Sequence, residues 1–243
     1  MKLSPRLLVA AVLAAPTLAS AFVLGGTTPG KWGSPVMGTG ATVTWSLMAS
    51  GISCASPTES PGCTTTALAS FMPTGYLTEI QAAFSAWSAV ANITFTQVVD
   101  SGRAFDHPLA TSGNIRLGGH VFDGAGGVLA HGYYPPLNGT TAAGDIHFDV
   151  GDTWKVGVAG PGFSIFQVMA HEIGHAIGLD HTLVPNSLMN TTYTLAFLGP
   201  QADDIAGAQH IYGMPIAIPE PTSALLMALG LAGLVLRRRA QAG

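Results

Sequence analysis

Residues His171 to His181 read HEIGHAIGLDH, placing three of the chain's 8 histidines and one glutamate in a single short stretch. On an α-helix each residue advances about 100°, so His171 and His175 stand about 40° apart on one face. Two imidazoles at that offset can close on one metal ion. Six further helical residues would carry His181 about 240° round from His175, so it joins them only if the helix ends first. Gly178 lies where that break is needed, because glycine enters the left-handed conformation that ends helices at little cost. Three neutral imidazoles leave a fourth position on Zn²⁺ for water, and Glu172 can take a proton from that water. An amphipathic helix with incidental histidines would leave Gly178 and His181 unexplained.

The long form H-E-x-x-H-x-x-G-x-x-H resembles the zinc motif of the metzincin metallopeptidases. Thr182 after the third histidine, and Met189 in the Ser187–Asn190 stretch, resemble the matrixin (matrix metalloproteinase-like) branch. That resemblance implies His171, His175 and His181 as catalytic zinc ligands, Glu172 as general base and Met189 as a floor beneath the metal. Read alone, Met189 is a core methionine filling an irregular gap. The resemblance runs over residues 41–213 and includes the closing D-D-I-x-G-x-Q-x-I-Y-G of residues 203–213.

These residues need elements to position them. TVTWSLM (42–48) alternates and predicts a strand. Residues 74–91 place Leu77, Ile80, Phe84, Trp87 and Val90 at helical spacing, with Thr74 or Thr78 near the cap. Strands follow at 93–99, 114–119, 128–135 and 145–149. The zinc helix spans 164–178 with Ser164 as its cap, and a last helix ends at Gly213. The order suits an α+β fold, a twisted mixed sheet with helices packed on it. The resemblance implies a zincin/metzincin-like domain with five strands and three helices. If residues 128–134 form the edge strand above the zinc, an extended protein or peptide substrate can add to it as another strand. Asn190-Thr191-Thr192-Tyr193 replace the family's usual Tyr-Pro after the methionine turn, so the pocket wall differs and side-chain preference is not legible.

A second constellation lies upstream, in HVFDGAGGVLAHGYYPPLNGTTAAGDIHFDVGDTW. Carboxylates interleaved with glycine carbonyls are what Ca²⁺ takes, with 6–8 oxygens. By the resemblance, Asp123, the carbonyls of Gly124, Gly126 and Val128, and Asp149 and Asp152 match a calcium site, Asp152 standing where the family usually has glutamate. Asp145 matches an aspartate of another calcium site whose preceding glycines are here Thr141 and Ala143. His131 and His147 match two of four ligands of a structural zinc. The family's other two, a histidine and an aspartate, come from a loop that is shorter here and offers only His120. Either His120 substitutes or the shell is incomplete. The plain alternative is a pair of strand histidines with ordinary hydrogen bonds. His107 and His210 have no assigned role.

Both ends read as targeting. Lys2 and Arg6, an apolar run and Ala19-Ser20-Ala21 make a secretory signal peptide over 1–21, with Phe22 opening the mature chain. Residues 22–40 read as a short N-terminal extension and 41–213 as the catalytic domain. Residues 214–243 hold Pro219-Glu220-Pro221, an apolar run over 224–236 and three arginines, 237–239. That order resembles the PEP-CTERM sorting signal of Gram-negative bacteria, processed by an exosortase. The implied partners are signal peptidase and the exosortase machinery, with transient membrane association through the tail. The implied destination is the cell envelope or extracellular matrix. A simple C-terminal anchor is the other reading, although the apolar run is short against the about 17–25 residues of a span.

Without the ends, four Lys and Arg face twelve Asp and Glu, a formal charge of −8 with histidines neutral. That excludes a nucleic-acid partner, which needs basic patches, and suits bound cations. Cys54 and Cys63, nine apart in an exported Pro/Gly/Ser loop, read as a disulfide. The family's pro-segment motif P-R-C-G-x-P-D is absent, so latency through a zinc-blocking thiol is not supported. The expected activity is a secreted zinc-dependent endopeptidase. A non-catalytic surface or biofilm-matrix binding protein on the same fold, and a zinc hydrolase of a non-peptide polymer, are the alternatives. Retention of Glu172 argues against the first.

Overall fold

The computed structural model describes residues 22–55, 59, 61–104, 112–136 and 142–216. The signal peptide, His107, Thr141 and the tail with its P-E-P motif lie outside them. In chain order the elements are β1 (Val23–Leu24), β2 (Ala41–Leu47), a 3-10 turn (Leu68–Ser70), α1 (Tyr76–Val90), β3 (Ile93–Gln97), β4 (Ile115–His120), β5 (Ala130–Gly132), β6 (Ile146–Asp149), β7 (Trp154–Lys155), β8 (Phe163–Ser164), α2 (Ile165–Ala176), β9 (Leu179–Asp180) and α3 (Ala202–Tyr212). The main sheet runs β3-β2-β4-β6-β5, as expected a mixed five-stranded sheet: the first four strands are parallel, and β5 is antiparallel at the edge.

Strand residues alternate between faces. Val43, Trp45, Ile115, Leu117, Ile146 and Phe148 form one face and pack with Ile80, Phe84 and Trp87 of α1 and Ile165, Met169 and Ile173 of α2. Trp87 Nε1–H donates to Ala170 O at 2.9 Å and ties the two helices together. The next residues along each strand, Arg116, Gly118 and His147, turn to the other face. Short β5 carries both faces at once: His131 stands opposite His147, while Gly132 stands opposite Ile146 on the helix side.

Three expectations are corrected. The N-cap of α1 is Gly75 in a left-handed conformation, with no side-chain cap from Thr74 or Thr78. Ser164 does stand at the N-cap of α2, but its side chain makes no capping bond. The 128–135 strand shrinks to three residues, and at its start the Val128 N–H turns to the Asp123 carboxylate instead of a neighbouring strand. Residues 22–40 pack against the rest of the domain. Lys31 and Trp32 are buried, Trp32 Nε1–H donates to Ala176 O at 2.7 Å, and β1 pairs with β9. Glycine- and proline-rich sequence hid this, because only Trp32 signals burial. No helix among the described residues is long and apolar enough to cross a membrane.

Candidate active site

α2 carries His171, Glu172 and His175 and ends at Ala176. Gly178 then takes φ +109°, and a Cβ there would lie 2.2 Å from Gly30 O, so both the backbone angle and the packing demand glycine. β9 returns along β1 and brings His181 back. His181 Nε2 lies 3.1 Å from His171 Nε2 and 3.1 Å from His175 Nε2. His171 Nδ1–H donates to Leu188 O at 2.7 Å and His175 Nδ1–H to Leu179 O at 2.9 Å. A carbonyl only accepts, so both protons sit on Nδ1 and the Nε2 lone pairs face inward. Burial pushes His171 down to about 4 and His175 down to about 3, which keeps both neutral. Two inward lone pairs with a third ring nitrogen 3.1 Å from each make a pocket for a cation. Tetrahedral zinc with Zn–N of about 2.0–2.1 Å holds its ligand nitrogens roughly 3.3 Å apart, so the donor set fits zinc.

Glu172 is 5% exposed, and its Oε2 has no hydrogen-bond partner among the described residues. Burial pushes its carboxyl up to about 8, and the Gly132 backbone amide opposes that shift. A Cβ on Gly132 would lie 2.8 Å from Glu172 O and 3.3 Å from its Oε2, so the edge strand approaches α2 only because that residue is glycine. Beside His171 and Glu172 opens a cavity of about 360 Å³, lined by Leu129 and Ala130 on the strand side and by Val168, Tyr193 and Phe197 opposite. Tyr193, in the stretch that departs from the family, accepts the Ser164 N–H at 2.9 Å and packs edge-on against Phe163.

Met189 is buried beneath the histidines: a Cβ on Gly174 would lie 2.3 Å from its Sδ. The sequence reading missed what holds this turn. Buried Asp204 of α3 accepts the amides of Leu188 at 2.7 Å, Met189 at 3.1 Å and Gln201 at 2.8 Å, and the Ser187 hydroxyl. Leu188 O in turn fixes His171. The D-D pair at the start of α3 was the available signal.

The second cluster lies on the far face of the sheet. His120, His131 and His147 converge there, and the fourth member is Glu59, which the sequence reading did not name. Glu59 Oε2 is 3.1 Å from His120 Nε2, and Oε1 is 2.8 Å from His131 Nε2 and 3.1 Å from His147 Nδ1. Burial alone would raise the Glu59 carboxyl; the three imidazoles around it hold it well below the usual carboxylate range. Burial pushes His147 down to about 4. Three imidazoles and a carboxylate offer four donors, the number that a closed structural-zinc shell uses. Glu59 sits between Cys54 and Cys63, which form a disulfide. The one available hint was that it is the sole acid of that loop.

Asp123, Asp149 and Asp152 share one loop region. Asp149 accepts the amides of Phe122 at 3.3 Å, Gly124 at 3.2 Å and Gly151 at 2.8 Å, and Asp152 accepts that of Gly126 at 2.7 Å. Burial raises the Asp152 carboxyl, and the neighbouring Asp149 and Asp123 add to the shift. Asp145 does not join them. It is fully buried, accepts the Arg116 amide at 2.9 Å and lies in the field of the Arg116 guanidinium, which is itself bidentate on Asp100 at 2.9 Å. His210 is exposed on α3 with its ring 5.4 Å from that of Phe22.

The profile described as Matrixin matches residues 66–213, and the chain belongs to this family. The PEP-CTERM protein-sorting motif matches residues 217–239. Karilysin of Tannerella forsythia is 37% identical over 144 residues, 59% of this chain and 30% of its own length. Human stromelysin-3 is 41% identical over 134 residues, 55% and 26% respectively. Human matrix metalloproteinase-16 is 38% identical over 156 residues, 60% and 25%. The chain therefore spans less than a third of the length of these curated relatives.

Proposed function

We propose that the protein is a zinc-dependent endopeptidase, exported and sorted to the envelope or outside of a Gram-negative cell. The observation that carries this is the convergence of His171, His175 and His181 with Glu172 at the mouth of a cavity beneath an edge strand. Zinc bound there would polarise a carbonyl and acidify a water. The chain's own residues do the rest. An extended peptide adds to β5 by backbone hydrogen bonds, and one of its apolar side chains enters the cavity. Glu172, desolvated and lining the cavity, takes a proton from the attacking water and hands it to the leaving amine. Asp204, through the methionine turn, keeps His171 oriented.

His120, His131 and His147 hold a second, structural zinc. Ca²⁺ binds at Asp123, Asp149 and Asp152 with the carbonyls of Gly124, Gly126 and Val128. A buried Asp152 Oδ2 with no hydrogen-bond partner among the described residues supports the calcium. The sorting motif and the N-terminal signal support export, with processing by signal peptidase and an exosortase and transient membrane contact by the tail.

The test is cleavage of casein by the zinc-loaded protein, with and without a chelator, beside Glu172→Ala. Chelator-sensitive cleavage lost in the variant is the expected result. A folded, zinc-loaded chain that cuts nothing would favour a surface-binding role instead.

A further inference from the structure

We propose that the Cys54–Cys63 loop is a metal-closing clip: it delivers Glu59 as the fourth ligand to the metal held by His120, His131 and His147, and the disulfide keeps it there. The inference rests on reading those three histidines as a metal site, but not on peptide cleavage.

The protons make the case. His120 Nδ1–H donates to Val121 O at 3.0 Å, so neutral His120 has only a lone pair at Nε2. That lone pair faces a Glu59 oxygen at 3.1 Å. His131 Nε2 and His147 Nδ1 also face each other at 3.1 Å while both crowd the other Glu59 oxygen. One divalent cation at the centre satisfies all four donors at once. Glu59 has no Lys or Arg partner among the described residues, and a buried carboxylate without a cation is costly. The family pattern that this region resembles draws its carboxylate from the loop after β4. Here that loop is short, and the acid arrives instead from a distant segment.

The clip is built for that delivery. Cys54 is buried, and its N–H donates to Cys63 O at 3.1 Å. Ser53 bridges Thr64, and Thr66 bridges Gly119 next to His120, so the base of the loop is fastened to β4. The bond between Cys54 and Cys63, with Cα atoms 5.0 Å apart, closes the segment that carries Glu59. Opening it lengthens the free chain over which Glu59 must be placed, and that ordering entropy weakens the metal. Because linkage is reciprocal, the metal must also protect the disulfide. The site therefore holds its metal more tightly once the thiols are oxidised, which in an exported chain follows translocation. His131 sits on β5 between this metal and Gly132, so the clip also steadies the strand beside Glu172.

The experiment measures zinc per chain and second-zinc affinity in the intact protein, Glu59→Gln and Cys54→Ala/Cys63→Ala. The unaltered protein holds two zinc ions. Glu59→Gln lowers the second affinity by about 100-fold or more, and the cysteine pair by roughly 10–100-fold, the range for losing a group that orients a ligand. A second measurement needs no variant. A water-soluble phosphine reduces the disulfide of the unaltered chain: water oxygen passes to phosphorus, and two electrons and two protons make two thiols. Bound zinc slows that reaction about tenfold or more, read by alkylation and mass. Unchanged second-zinc affinity in Glu59→Gln, or reduction equally fast with and without zinc, overturns the clip. A single zinc in the unaltered protein overturns the second site itself.

Discussion

The two histidine clusters differ in the way their chemistry requires. His171, His175 and His181 come from one helix and its return and offer three donors, with His171 lining a cavity and His181 exposed. Glu59, His120, His131 and His147 come from four segments on the other face of the sheet, offer four donors, and are buried apart from His131. Three donors leave a coordination position for reaction; four close the shell and make a staple. β5 joins the two, presenting Gly132 to Glu172 and His131 to the staple. On the proposed reading, a reactive site and a structural one share a strand three residues long.

The comparison can be broken at its reactive half first. Glu172→Gln should lower kcat/KM on a casein-derived peptide by at least about 10²–10⁴-fold, the share of a general base, with the metal count unchanged. Next comes the contrast between His147→Ala and His181→Ala. Removing buried His147 takes one hydrogen-bond partner from the buried Glu59 carboxylate and should cost about 1–3 kcal/mol of stability. At about 2–4 °C per kcal/mol for a domain of this size, that is a melting shift of roughly 2–12 °C. His181→Ala should abolish cleavage and one zinc while barely moving the melting temperature of the metal-free chain. Gly178→Ala should cost about 1–3 kcal/mol through its left-handed angle and displace His181, so catalytic zinc falls before the fold does.

The last expected effect concerns acid stability at Asp100. Burial alone would raise the Asp100 carboxyl, but Arg116, the Gly102 amide and Ser46 hold it below the usual range. Its folded value lies below the unfolded one, so its stabilisation is complete above the unfolded value near pH 4 and is lost as pH falls through the folded value. Asp100→Asn should therefore cost about 1.5–3 kcal/mol at pH 7 and little at the acid end, read by melting at each pH. Asp145, raised by burial, acts with the opposite sign.

Legibility followed chain distance. The catalytic ligands lie within one helix period and one glycine exit, so spacing alone placed them, and the resemblance supplied the methionine beneath. Strand alternation placed the core face of the sheet. Glu59 was out of reach because nothing local says that a disulfide loop will lie over the end of β4. Asp204 was visible as a family-like residue, but its three bonds to the methionine turn are tertiary. Asp145 was matched to calcium by position, while Arg116 turns out to supply the positive charge beside it. Gly75 rather than a threonine caps α1, where a left-handed backbone made a side-chain cap unnecessary.

The measurement that bears most directly on one open and one closed centre is stepwise metal removal from the intact zinc-loaded protein. A chelator is raised gradually while zinc per chain, casein cleavage and melting temperature are followed together. The account predicts that the first zinc leaves with the activity and little change in melting, and that the second leaves later with the fold. Loss of both ions in one step, or cleavage that survives departure of the first, would contradict it.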